Sequence, residues 1–176
     1  MQKTPPQTTL PQLPEASGRE PRVTIGWREY LSLPALGIDR IKAKVDTGAR
    51  TSALHAINIL YVTRLGVTWV QFDVHPFQRS SKRVVRCEAP LIEERYVTDS
   101  GGNRTLRPVI ETQIALHGYV VAVELTLISR AEMGFRMLLG RQAIRGQFLV
   151  DPGHSYLSRT RPLVRKTKTK KTKAKK

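Results

Sequence analysis

The feature that most constrains this chain is its punctuation. Between residues 38 and 153, short runs of alternating apolar and polar residues follow one another, closed by glycine, proline, asparagine or aspartate. In Arg40-Ile41-Lys42-Ala43-Lys44-Val45 the apolar residues alternate with bases. A period of two sends successive side chains to opposite faces, so this run predicts a half-buried strand. Residues 67–74 place Val70, Phe72 and Val74 on one face, and Pro76 closes the run. Residues 83–97 and 104–116 flank Asp99-Ser100-Gly101-Gly102-Asn103, which predicts a hairpin. In its second arm Ile110, Thr112, Ile114 and Leu116 share a face. His117-Gly118 predicts a tight turn into 119–128, where Tyr119, Val121, Val123, Leu125 and Leu127 fall together. Met137-Leu138-Leu139 leads into Gly140-Arg141-Gln142-Ala143-Ile144, a piece long enough for a short helix. Phe148-Leu149-Val150 predicts a last strand, stopped by Asp151-Pro152-Gly153. Many short strands and almost no long helical period predict an all-β fold, a barrel or closed sandwich.

Length and charge narrow the reading further. The 176 residues suit one domain. No apolar run approaches the roughly 18 residues of a membrane span. The lone Cys87 excludes an intrachain disulfide framework and a cysteine-rich zinc module. Residues 159–176 hold three arginines, seven lysines and no acid, which is +10 of the chain's +16. With +1 in residues 1–22, the segment 23–158 carries only +5. The basic pI therefore describes a tail more than a domain. Residues 1–22 contain five of the eleven prolines and read as a disordered arm. They lack the continuous apolar stretch of a secretory signal, so a cytoplasmic protein is expected. The low-complexity run 159–176 reads as a second disordered segment. Its charge suits weak, non-specific contact with nucleic acid or an anionic surface, but no aromatic residues interleave for base stacking.

The sharpest local feature is Val45-Asp46-Thr47-Gly48-Ala49. A carboxylate ends an apolar-faced strand and is followed by a hydroxyl and a glycine. Glycine lets the backbone turn tightly, and Thr47 can hydrogen-bond backbone groups of the loop. As an isolated tripeptide this is an ordinary turn. If a second copy of the loop met it across a two-fold axis, two carboxylates would share one proton, because like charges that close cannot both ionise. One would act as general base toward a water and the other would donate a hydrogen bond to the carbonyl under attack. About ninety residues on, Met137-Leu138-Leu139-Gly140-Arg141 supplies an apolar strand running into Gly-Arg and a short helix.

With both elements in view, the chain resembles the retropepsin-like aspartic peptidases. It is most similar to the bacterial family that carries the name ATP-dependent zinc protease. The matching residues are Lys44 to Ala56, then Arg130 with Met133, Met137 to Arg141, and Phe148 to Pro152. The resemblance covers roughly residues 23–157. It implies a closed retropepsin-like β-barrel over 23–158 with one lobe per chain and one short helix, the apolar strand passing beneath the Asp loop. It also implies an aspartic endopeptidase that works as a homodimer on a peptide or protein, through an Asp46/Asp46′ dyad. Asp46, Thr47 and Gly48 are the expected catalytic loop. Ala49 and Arg50 are expected at the substrate, as are Ser100, Gly101 and Gly102 at the tip of a candidate flap. The family's link to ATP-dependent ligases that modify proteins implies the rival reading, a non-catalytic accessory module on the same fold.

The zinc and ATP of the family's name find no support in the residues. There is no Gly-x-x-x-x-Gly-Lys-Ser/Thr loop and no His-Glu-x-x-His. His55, His75, His117 and His154 are scattered, so neither metal nor cofactor is expected. His55 reads as a packing residue, Cys87 as a small buried hydrophobe, and Asp151 as a turn residue. Arg141 is expected to tie the helix to nearby loops through its donor fork. Arg50 either meets an anionic substrate or is a solvated surface cation.

Overall fold

The computed structural model describes residues 22–78, 80–98, 101–129 and 134–158. Residues 1–21 of the proline-rich arm, the basic tail, Asp99, Ser100, Arg130 and Met133 lie outside the described residues. The elements are strands β1 (Val23–Gly26), β2 (Arg28–Leu33), β3 (Ile38–Asp46), β4 (Ser52–His55), β5 (Ile57–Arg64), β6 (Val67–Val74), β7 (Val85–Pro90), β8 (Glu93–Thr98), β9 (Arg104–Leu116), β10 (Tyr119–Ile128), β11 (Met137–Gly140) and β12 (Phe148–Asp151). One helical turn, α1 (Arg141–Ile144), follows β11. No helix among the described residues is long and apolar enough to cross a membrane.

The main sheet closes on itself. Its order is β10-β4-β11-β3-β2-β9-β8, and β9 also pairs with β10. Six strands therefore form a ring, with β8 hanging from β9 as the outer arm of a hairpin. The turn that closes the ring is His117-Gly118, both at positive φ (54° and 85°). That conformation matches the right-handed twist of the strands it joins. Alternation fills the ring: Ile41, Ala43 and Val45 of β3 point inward, as do Ile110, Ile114 and Leu116 of β9. A second sheet, β5-β6-β7, adds Val70, Phe72 and Val74 to the same core. β1 and β12 form a short parallel pair.

One expected element is two. Residues 83–97 do not form a single hairpin arm. β7 pairs with β6 in the three-stranded sheet, while β8 pairs with β9 in the ring. Pro90, which lacks an N–H, ends β7. The next two amides bond to different sheets, Leu91 N–H to the Thr68 carbonyl and Ile92 N–H to that of Val109.

The inner end of β2 carries a fully buried carboxylate, Glu29. Its Oε1 accepts from the amides of Gly26 (2.7 Å) and Leu157 (2.8 Å). Its Oε2 accepts from the Ser158 amide (3.1 Å) and hydroxyl (2.5 Å). Glu29 thus ties the chain after β12 to the barrel wall. In Glu29→Gln one of the two acceptor oxygens becomes an NH2 facing donors. Each buried donor left unsatisfied costs about 1–3 kcal/mol. Urea unfolding of Glu29→Gln should show a loss of about 2 kcal/mol or more; an unchanged midpoint would mean that the anchor contributes nothing.

Candidate active site

The Asp loop is built by strand order. β11 runs parallel to β3, with Gly140 opposite Asp46, and antiparallel to β4, with Met137 opposite Leu54. Residues 47–51 join β3 to β4 and so must cross the end of β11 that separates them. The crossing is close. A Cβ built on Gly140 would lie 2.4 Å from the Thr51 carbonyl carbon and oxygen and 2.9 Å from the Ser52 nitrogen. The Gly140 amide donates to Ser52 Oγ at 3.0 Å. The first amides of α1 complete the seam. Arg141 N–H bonds the Ala49 carbonyl (2.8 Å) and Gln142 N–H that of Arg50 (3.1 Å). These are among the N–H groups that a helix start leaves without intrahelical partners. Arg141 also donates from Nη1 to the Thr47 carbonyl at 3.1 Å, the tie expected of it.

Asp46 is held at one oxygen and free at the other. Its Oδ1 accepts from the Gly48 and Ala49 amides, both at 3.1 Å. No hydrogen bond among the described residues engages Oδ2. Thr47 and Gly48 are exposed at the loop crest. A cleft of 690 Å³ opens over this loop, lined by Asp46, Gly48, Ala49, Arg50 and Thr51 on one side. Arg95 to Thr98 of β8 and Arg107 of β9 line another side, with Thr126, Ile128 and Leu138 completing it. The β8–β9 hairpin is thus the arm of the candidate flap, and it borders the cleft that holds Asp46. Of the expected tip residues, Gly101 and Gly102 are exposed and outside the cleft lining, Gly102 at φ 83°, and Ser100 lies outside the described residues.

The cleft also gathers arginines that no motif announced. Arg95 and Arg107 are directly opposite each other in the β8–β9 ladder. Arg95 bonds Glu124 at 2.9 Å and also pairs with Glu93. Arg107 is buried and donates from Nε to Thr105 Oγ1 at 2.8 Å. Arg50 stands exposed at the mouth.

The remaining chemically capable residues sit elsewhere. Cys87 is buried, its Sγ 3.4 Å from the Leu36 carbonyl, and burial pushes its thiol up to about 12. It is therefore no thiolate nucleophile at neutral pH. His55 is buried on β4; burial first, and then the Arg136 charge, hold its pKa below the ordinary value. Asp151 caps its own turn, accepting from Gly153 N–H at 2.8 Å and from His154 Nδ1 at 2.7 Å. Among the described residues no three His, Cys, Asp or Glu side chains converge in an arrangement able to hold a metal ion.

An Asp-Thr-Gly loop crossing an apolar strand that ends in Gly-Arg, within a closed barrel, fits the retropepsin-like fold. The chain belongs to the RimB-like family, described as retropepsin-like aspartic endopeptidase RimB, whose model matches residues 24–161. Its relatives include proteins named "probable alpha-L-glutamate ligase". The one from Shewanella halifaxensis is 48% identical over 132 residues, which are 75% of this chain and 29% of that protein. The one from Parasynechococcus marenigrum is 45% identical over 135 residues, 77% of this chain and 29% of that protein. The chain thus spans less than a third of the length of these relatives, and they carry ligase names instead of the zinc-protease label. The crystal structure of the Legionella pneumophila protein Lpg0085, of unknown function, matches with a TM-score of 0.64 at 26% identity. That match covers 77% of this chain and 98% of the other.

Proposed function

We propose that the protein is an aspartic endopeptidase that works as a homodimer and cleaves acidic peptide chains. The observation that carries this reading is the state of Asp46: one oxygen is held by two loop amides, and the residue lines a cleft of 690 Å³. One lobe supplies one such carboxylate, so the second comes from a second copy. In the dyad, one ionised Asp46 takes a proton from water as its oxygen attacks the peptide carbonyl. The protonated partner carboxyl donates a hydrogen bond to the carbonyl oxygen. The tetrahedral adduct then collapses as the leaving nitrogen receives a proton. No step calls on a metal or ATP, so turnover is expected to survive chelator.

The acidic substrate follows from the walls. Arg50 lines the cleft on the same loop as Asp46 and is exposed, whereas Arg95 on the facing wall is already paired with Glu93 and Glu124, so Arg50 is the cation offered to an anionic substrate. The ligase names of the relatives support glutamate as the acid. The test is cleavage of a glutamate-rich peptide against its glutamine counterpart. The glutamate peptide should be preferred, and Arg50→Gln should raise its KM about tenfold with a smaller change in kcat, as for loss of one charge-assisted contact. Equal cleavage of both peptides would remove the acidic-substrate reading.

The lengths of the relatives favour a second reading. In proteins named as ligases this unit is matched to under a third of the chain, as expected of an accessory module. That module would bind but not cleave, and it would be indifferent to replacement of Asp46 by asparagine in every functional readout.

A further inference from the structure

The outer face of β2 and β3 is a second unassigned surface, whose residues do not line the Asp46 cleft although Lys44 stands two positions from Asp46 on β3. Cross-strand register places Arg28 opposite Lys44 and Tyr30 opposite Lys42. Tyr156, from the segment after β12, stacks on Tyr30 with ring centroids 4.7 Å apart. Cations flank this aromatic pair. The Arg40 guanidinium lies 3.7 Å from the centre of the Tyr30 ring, and that of Arg28 lies 5.1 Å from the Tyr156 ring. Lys42 Nζ is within 6 Å of both, at 5.8 Å and 5.6 Å.

This face has no internal neutralisation. Among the described residues, Arg28, Arg40, Lys42 and Lys44 make no ion pair with a carboxylate, while Asp39 beside them is paired away to Arg83. Arg28 and Lys44 are like charges directly opposite in an antiparallel ladder, an arrangement that costs stability. A guanidinium laid on an aromatic ring keeps its in-plane N–H donors directed outward, the geometry that grips phosphate oxygens. The last described residues also lie here. The Ser158 hydroxyl and amide are fixed to Glu29, and the hydroxyl also lies 3.3 Å from the Tyr30 carbonyl. In sequence, the +10 segment 159–176 follows Ser158 directly.

We infer that this face binds single-stranded nucleic acid, with Arg28, Arg40, Lys42 and Lys44 on phosphates and the tyrosine pair beside the bases. The lysine-rich tail has no aromatic residues, whereas this face carries two. Tyr30 is itself covered by Tyr156 and Arg40, so bases would meet Tyr156 and the ring edges, which suits a strand whose bases are unpaired, since a duplex hides them. The inference does not rest on the peptidase reading.

The test uses the full chain and a fluorescein-labelled 20-mer of oligouridylate, followed by anisotropy over a range of salt. Arg40→Gln/Lys42→Gln should weaken binding at least about tenfold at low salt and reduce the salt slope by roughly 1.4, since single strands give about 0.7 per phosphate contact. Lys44→Gln removes the like-charge pair with Arg28, so it should weaken binding while leaving Tm equal or higher. That variant decides the matter if the double substitution fails to fold. Removing residues 159–176 should leave binding that still responds to Arg40→Gln/Lys42→Gln. Wild-type affinity in both face variants would overturn the inference, as would complete loss on tail removal alone. Equal competition by a 20-bp DNA duplex would overturn the single-strand assignment. Equal competition by a glutamate 20-mer would replace nucleic acid with an acidic protein segment.

Discussion

Asp46→Asn is expected to abolish peptide hydrolysis while leaving the barrel folded. The loop geometry explains why the two effects separate. Asp46 Oδ1 accepts from the Gly48 and Ala49 amides, and an amide oxygen accepts the same two bonds. The turn therefore survives the substitution. What is lost is the open oxygen's ability to take a proton from water. A positioned general base contributes typically ~10²–10⁴-fold, and here the substitution removes both dyad members at once. A fall of at least about 10³-fold in kcat/KM is expected, with unchanged circular dichroism and melting temperature. Hydrolysis at an undiminished rate would end the aspartic mechanism. A wild-type phenotype in an assay of ligase-coupled function would favour the accessory-module reading.

The second large effect is structural and equally specific. Gly140→Ala should destabilise the protein by more than about 3 kcal/mol, or prevent it from folding, because overpacking already costs about 1–3 kcal/mol against side chains that can shift. Here the new methyl would sit 2.4 Å from the Thr51 backbone carbonyl, and backbone inside a six-strand ring cannot move aside alone. Any relief must displace the 47–51 crossing and with it Asp46. Chemical unfolding gives the stability. A Gly140→Ala protein with wild-type stability would show that the loop does not cross β11 at this distance.

The contrast between these two residues shows what was legible in the sequence. Asp46 and Gly140 stand in local runs whose residue types announce their place in the fold: a strand ending in Asp-Thr-Gly, and an apolar strand ending in Gly-Arg. Where strands alternate cleanly, as in β3, β6, β9 and β10, the period identified them. Strand β2 was hidden because Glu29 occupies an inward position and breaks the apolar period; only the four converging donors explain a carboxylate there. Strand β4 was hidden for the opposite reason, since all four residues from Ser52 to His55 are buried and no period of two remains. β5 is largely exposed and irregular, with Asn58 at φ 53° and a register shift between Ile57 and Leu60. The split of residues 83–97 between two sheets could not be read locally, because it depends on which strands the amides of Leu91 and Ile92 meet. The same holds for Arg95 and Arg107, which share a cleft with Asp46 only because the β8–β9 hairpin borders it.

The proposed dyad makes the central claim quantitative. If catalysis needs Asp46 from two copies, specific activity must follow the dimer population. Hydrolysis of a glutamate-rich peptide should be measured over a wide range of protein concentration, with sedimentation of the same samples. Activity per chain should fall on dilution along the same curve as the fraction of dimer. Constant activity per chain in samples that sediment as monomer would contradict the account, because a single Asp46 has no second carboxyl with which to share a proton.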